Sequence, residues 1–406
     1  MQEPIKNNES AVPHRHGWLT ANLIAQLAFG LVIMTICLPS MQDWPTTFGA
    51  SQAAVQLTFS GFIAAYGGLQ LLYGPLSDRF GRKPILLIGL VVSLLGSLLA
   101  MAAPGIGVLT LARVLQGAGS AAGMVVGRAM VQDLFQGRER TRVMAFVGMA
   151  MGVCPPLATL VGGNLHVHLG WQANFVLLAA LGLGLLAAAW WGLPNLTPAA
   201  ANRAGGWRQL VSGYGRLVRE RAFLLYVVML AMATATFYTF LGGAPLVLAG
   251  YGVTPDRIGW YIMCIPLAYI VGNLLASRLI RLHGDRFILG LGQVGTFAGL
   301  LLVLALALAG LHTPLALALP LVLLGIGHGL LAPPTLAGTV GLIPALAGSA
   351  AAVGGLMQQL TGALGGFVIG LVPNDSPVNM ALLMLGWSVC GLAAQWTLFR
   401  FVLRRK

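Results

Sequence analysis

The chain has 406 residues, 57% hydrophobic and 8% charged, with 23 Lys and Arg against 10 Asp and Glu for a net charge of +13. Soluble domains carry roughly a quarter charged residues, so a water-facing surface of this size is excluded and a polytopic helical membrane protein remains. The basic excess sits in short clusters between apolar runs. It forms no continuous stripe with interleaved aromatics, which argues against nucleic acid as a partner.

Residues 1–17, with Glu3, Glu9, Pro13 and His14-Arg15-His16, are a polar tail lacking a signal-peptide pattern. From Trp18 onward, apolar segments of the about twenty residues a bilayer requires predict helices at 18–40, 52–74, 84–103, 107–131, 143–165 and 172–193. A polar stretch at 194–222 follows, and within it Trp207 to Arg221 has the pattern of an amphipathic helix on the membrane surface or of a solvated linker. Further helices are predicted at 223–246, 257–277, 287–310, 315–335, 349–372 and 379–402, with Pro333-Pro334 interrupting the tenth. The expected domains are therefore a tail (1–17), a six-helix half (18–193), a linker (194–222), a second six-helix half (223–402) and a basic tail (403–406).

Arginine and lysine orient this bundle. Arg79, Arg82, Lys83, Arg138, Arg140, Arg142, Arg203, Arg208, Arg278, Arg281 and Arg286 lie in the connections after helices 2, 4, 6 and 8. The opposite connections hold Asp43, Asp256 and Asp375 with Arg257. By the positive-inside rule both termini face the cytoplasm. A repeat supports two equivalent halves: Gly81 in Asp78–Leu86 and Gly284 in Arg281–Leu289 stand 203 positions apart, each beside basic residues. Parallel repeats of this kind place a cavity between the halves, near the membrane midplane.

Three segments are more specific than hydropathy. Gly74-Pro-Leu-Ser-Asp-Arg-Phe-Gly-Arg-Lys83 follows helix 2, and Gly74 and Gly81 are expected to allow a tight turn there. Leu111-Ala-Arg-Val-Leu-Gln-Gly-Ala-Gly119 places Arg113 inside an apolar helix, where an ionisable group is expensive and by default functional. Gly152-Val-Cys-Pro-Pro-Leu-Ala-Thr-Leu-Val-Gly-Gly163 lies in helix 5, where Pro155 and Pro156 with Gly162 and Gly163 would let helices bend and pack closely.

Together these segments resemble the signature motifs of drug:proton antiporters of the major facilitator superfamily. With Leu38-Pro39 closing helix 1, the chain is most similar to the twelve-helix Bcr/CflA branch. The resemblance implies an all-α major facilitator fold and a monomer, working by alternating access in a bacterial inner membrane. It implies a gating loop of Gly74, Asp78, Arg79, Gly81, Arg82 and Lys83, with Asp133 as the acid at the inner end of helix 4. It also places Arg113 at the cavity as a proton or substrate sensor; the residue alternatively ties to backbone carbonyls and Gln116.

Members of this branch carry an aspartate three residues before the Leu-Pro pair, where this chain has Thr35. None of its ten acids falls near midmembrane; Asp43 and Asp133 come closest, at opposite ends. A cationic substrate would then lack a counter-ion, which favours neutral or anionic molecules. Proton coupling would need Asp43, Asp133 or His328, an imidazole that otherwise serves packing. Polar residues within the spans complete the expected pathway: Thr35, Gln56, Tyr238, Asn273, Gln358 and Gln359 with Arg113 and His328.

The expected activity is proton-coupled efflux of a small molecule. An antibiotic such as chloramphenicol or bicyclomycin and an endogenous siderophore such as alcaligin both fit the resemblance. An importer or facilitator, and a non-transporting sensor on the same fold, are the alternatives. No nucleophile–base set or metal-ligand spacing stands out, and Cys37, Cys154, Cys264 and Cys390 scatter through apolar runs as small core residues. Gly117-Ala-Gly119 follows no strand, so it is no phosphate loop. The expectation is a protein that is not an enzyme, without metal or cofactor, using the proton gradient as its energy source and contacting substrate, protons and membrane lipid.

Overall fold

The computed structural model describes residues 13–196, 215–343, 346–373 and 376–402, and these contain helices, turns and no strand. Eleven helical stretches are long and apolar enough to cross a membrane. One of them, Pro255–Leu308, has 54 residues, about 80 Å if straight and too long for one crossing. It breaks at Gly284, whose φ of 74° is non-helical, so the stretch makes two crossings and the described residues make twelve. The long helices are numbered α1 (Pro13–Thr35), α2 (Gln52–Phe80), α3 (Arg82–Met101), α4 (Ile106–Leu134), α5 (Gly137–Leu169) and α6 (Gln172–Gly192) in the first half. The second half has α7 (Arg221–Gly250), α8 (255–283), α9 (285–308), α10 (Pro314–Gly341), α11 (Ala347–Val368) and α12 (Pro377–Thr397).

Three boundaries depart from the hydropathy reading for identifiable reasons. Helix α1 stops at Thr35 instead of 40 because Pro39 cannot donate a helical hydrogen bond. The chain continues there as a 3-10 turn over Leu38–Gln42 and a short helix over Trp44–Phe48. Helix α10 runs unbroken through Pro320, Pro333 and Pro334 to Gly341, since packed neighbours can satisfy carbonyls that proline frees. Gly74 makes no turn: it lies inside α2, which continues to Phe80, and the reversal into α3 is made by Gly81 alone, at φ 97°. Most of the expected surface helix, residues 207–214, lies outside the described residues; 215–219 are helical.

The repeat is visible in packing. Gly89 and Gly96 of α3 let the backbone of α4 approach at Gly119 and Ala112, while Gly292 and Gly299 of α9 admit α10 at Gly327 and Pro320. Both pairs are 203 positions apart, the spacing of the two positive-φ turns at Gly81 and Gly284. A side chain at any of these four helical sites would hold the helices apart.

The halves meet along α2 with α11 and α5 with α8. Gly67 accepts Gln359, Gly366 accepts Phe59, and Gln56 Nε2 donates to the Gly242 carbonyl at 2.8 Å. At the end opposite the basic loops, Gly163 of α5 is pressed against the Pro255 and Asp256 backbone, and Gly259 of α8 against Leu160. This distal seam is closed. Toward the basic end, Ala145, Gly148 and Met149 of α5 instead face a cavity.

Candidate functional site

That cavity has a volume of about 880 Å³ and is walled by α1, α5, α7, α8, α10 and α11, with Gln293 of α9, a size that suits a drug-sized molecule. Its wall is mostly apolar, with Met34, Met149, Met151, Phe237, Ile265 and Tyr269 prominent. Thr35, Thr159, Thr234, Asn273, Gln358 and His328 supply polar groups. No Asp, Glu, Lys or Arg is among the described lining residues.

Proline chemistry shapes the α5 wall. Pro155 and Pro156 lie within the helix and have no N–H, so the carbonyls of Met151 and Gly152, four residues back, lose their helical donors. Both residues line the cavity, which gives the apolar wall two potential acceptors. Beside them Thr35 Oγ donates to the Pro155 carbonyl at 3.1 Å, and Thr159 Oγ donates to its own Pro155 carbonyl at 2.9 Å. The end of α1 is thereby tied to the bend of α5. A methyl on Gly152 would come within 2.8 Å of Ile270 on α8, and one on Gly162 would strike the Ile36 carbonyl. The helix 5 motif thus packs α5 against both halves.

Across the cavity, the Tyr238 ring sits edge-on to Phe59 at 6.0 Å, and its hydroxyl donates to Gln359 Oε1 at 3.4 Å. Gln358 Nε2 donates to Thr234 Oγ at 3.3 Å. Thr35, Tyr238, Asn273, His328 and Gln358 therefore lie on one wall surface. Gln359 and Gln56 stand in the seam between the halves, each against a glycine.

Arg113 is elsewhere. It is fully buried within the first half, absent from the lining, and donates to the Ile33 and Met34 carbonyls at 2.9 and 3.3 Å and to Gln116 Oε1 at 2.8 Å. Its guanidinium lies 4.5 Å from the Phe62 ring centre. This arrangement caps the broken end of α1.

At the turn between α2 and α3, Arg82 holds Asp78 at 2.6 Å, Asp133 at 2.9 Å and Ser77 at 2.7 Å. Lys83 donates to the Trp190 and Leu193 carbonyls, and Arg79 lies 5.1 Å from the Phe80 ring centre. All these partners belong to the first half. At the distal end, Asp43 Oδ2 lies 2.7 Å from His166 Nε2. Sequence reasoning passed over His166 and the methionine and aromatic wall, because in a uniformly apolar helix nothing local distinguishes a cavity face from a lipid face.

Residues 19–366 match the profile of the Major Facilitator Superfamily. The chain is 29% identical to multidrug resistance protein D of Escherichia coli (strain K12), over 89% of this chain and 91% of that protein. It is 31% identical to a chloramphenicol resistance protein of Pseudomonas aeruginosa, over 89% and 86%. A bicyclomycin resistance protein homolog of Haemophilus influenzae is 26% identical over 94% and 95%. In fold it is similar to an inward-facing, occupied bacterial homolog of the human lysosomal transporter Spinster (TM-score 0.77, 16% identity, 96% and 98% covered). A D-xylose–proton symporter gives 0.72 at 16% identity, over 94% and 97%. The protein is a multi-pass membrane protein of the Major Facilitator Superfamily, in its Bcr/CflA-like branch of drug-efflux transporters.

Proposed function

We propose that the protein exports a small neutral or polar molecule across a bacterial inner membrane in exchange for protons. The observation that carries this reading is the cavity between the halves, large enough for a drug and lined by amides, hydroxyls and apolar groups with no carboxylate among the described lining residues. A lipophilic cation desolvated there would have no counter-charge. A molecule such as chloramphenicol, or a hydroxamate siderophore, offers donors and acceptors that the α5 carbonyls and the Thr234–Gln358 pair can meet.

With the basic loops on the cytoplasmic side, the closed distal seam at Gly163–Pro255 makes this the state that loads substrate from the cytoplasm. Rocking the halves about the α2–α11 and α5–α8 contacts would open the seam and close the basic end. His328 is the one described lining residue whose side chain ordinarily changes charge near neutral pH. It is the group assigned here to carry the exchanged proton.

The test is accumulation of labelled chloramphenicol in bacteria stripped of other exporters. Expression should lower steady-state accumulation, and a protonophore should restore it. Equal accumulation with and without the protein, repeated with a hydroxamate siderophore, would overturn the assignment.

A further inference from the structure

Away from the central cavity, a second recess of about 460 Å³ opens on the bundle's outer surface at the basic end. It lies between the start of α9 and the end of α12 and is lined by Arg286, Gly290, Leu392, Gln395, Trp396, Phe399 and Arg400. We propose that this recess binds the headgroup of an anionic phospholipid, with the phosphodiester held between Arg286 and Arg400.

Both guanidinium groups are braced by aromatic rings. Arg286 lies 5.6 Å from the Phe399 ring centre and Arg400 lies 5.0 Å from that of Trp396. A guanidinium that rests on a ring uses its flat face and keeps its in-plane N–H donors for another partner, and that fork matches phosphate oxygens. Among the described residues neither arginine has a carboxylate within 4.0 Å. The neighbouring acid, Asp285, makes no ion pair within 4.0 Å among the described residues, and His283 stacks on Phe287 at 4.8 Å.

A third polar group lies deeper. Gln395 is 8% exposed and its Oε1 accepts from Gln293 Nε2 at 3.1 Å, which leaves its own amide N–H₂ as a donor in the recess. Gly290 stands one helical turn beyond Arg286 and adds no side chain to the floor. Leu392 and Trp396 are exposed along α12, as Leu291 and Val294 are along α9. They form an apolar track along which an acyl chain can leave the headgroup toward the bilayer core. A cationic, aromatic-braced pocket at the membrane–water boundary beside such a track has the chemistry of an anionic lipid site. Free phosphate shares the headgroup chemistry but makes no use of the track.

The experiment is native mass spectrometry of the full-length protein in detergent, incubated with phosphatidylglycerol, phosphatidylethanolamine or glycerol 3-phosphate. Phosphatidylglycerol should be retained in preference to phosphatidylethanolamine, and glycerol 3-phosphate should neither be retained nor compete. Arg286→Gln with Arg400→Gln should lower retention at least tenfold, as loss of two cationic contacts to an anionic headgroup predicts. Arg138→Gln with Arg140→Gln, in the first turn of α5, should leave it unchanged. Melting of each variant without lipid reports folding. If the glutamine pair does not fold, Arg286→Lys with Arg400→Lys replaces it, and retention should fall there too because lysine lacks the planar fork. Unchanged retention in the folded arginine variant would overturn the site. So would equal loss in the Arg138/Arg140 control, equal retention of phosphatidylethanolamine, or competition by glycerol 3-phosphate.

Discussion

The Arg113 guanidinium donates to the Ile33 carbonyl at 2.9 Å, joining residues 80 positions apart at the point where α1 unwinds. Pro39 has no N–H and frees the Thr35 carbonyl, which accepts from Thr159 Oγ at 3.4 Å, while the cation from α4 satisfies the neighbouring last-turn carbonyls of Ile33 and Met34. Arg113→Ala should therefore act on the fold of the first half. Each unpaired buried carbonyl costs about 1–3 kcal/mol, so melting should fall by several degrees. Export should drop alike for each neutral or polar probe that the unaltered protein carries. A variant of normal stability with an altered order of substrate preference would place Arg113 in substrate selection instead.

Arg82 binds Asp78 and Asp133 together. The acids are partly exposed, at 38% and 34%, so solvent screens the attraction and the Arg82–Asp133 coupling should be on the order of 1 kcal/mol. A double-mutant cycle with Arg82→Gln and Asp133→Asn, read by thermal melting, measures it. Additive effects would show that the pair contributes nothing of its own.

Gly163 has no room for a methyl against the Pro255 backbone, whereas Gly184 on α6 has nothing within 4 Å. Gly163→Val should loosen the distal seam and Gly184→Val should not. Cys37 is buried at the end of α1. Its labelling by a membrane-impermeant maleimide added from outside, located by peptide mass spectrometry, should rise on the order of tenfold in Gly163→Val, an equilibrium shift of about 1.4 kcal/mol. Equal labelling in both variants would contradict the seam.

His328→Gln retains an uncharged hydrogen-bonding side chain. Chloramphenicol binding should stay within about twofold, since one neutral hydrogen bond is worth little net. Gradient-driven export should be lost and its pH dependence flattened. Normal export with an unchanged pH profile would remove His328 from the proton path.

Spans, turns and the repeat of this fold are legible because each rests on a local constraint. Twenty apolar residues cross a bilayer whatever surrounds them, and the loops at Gly81 and Gly284 need a positive φ that favours glycine. The packing glycines at 89, 96, 292 and 299 obey the same 203-residue spacing, but 55 glycines in the chain conceal them. The site was less legible. Arg113 breaks an apolar run in the manner of a cavity residue, yet what it answers is a helix end in α1. Thr35, which the resemblance places where an acid is expected, ties α1 to α5 through the Pro155 carbonyl, 120 positions away. The partnership of Asp43 with His166, 123 positions apart, has no local signal at all.

The most direct test is proton release from everted membrane vesicles holding a preset pH gradient. They would be challenged in turn with chloramphenicol, a hydroxamate siderophore and a lipophilic cation, alongside vesicles carrying His328→Gln. A carboxylate-free cavity coupled to protons predicts that a neutral compound dissipates the gradient, the cation does not, and the variant abolishes the response. Dissipation by the cation alone would contradict the account.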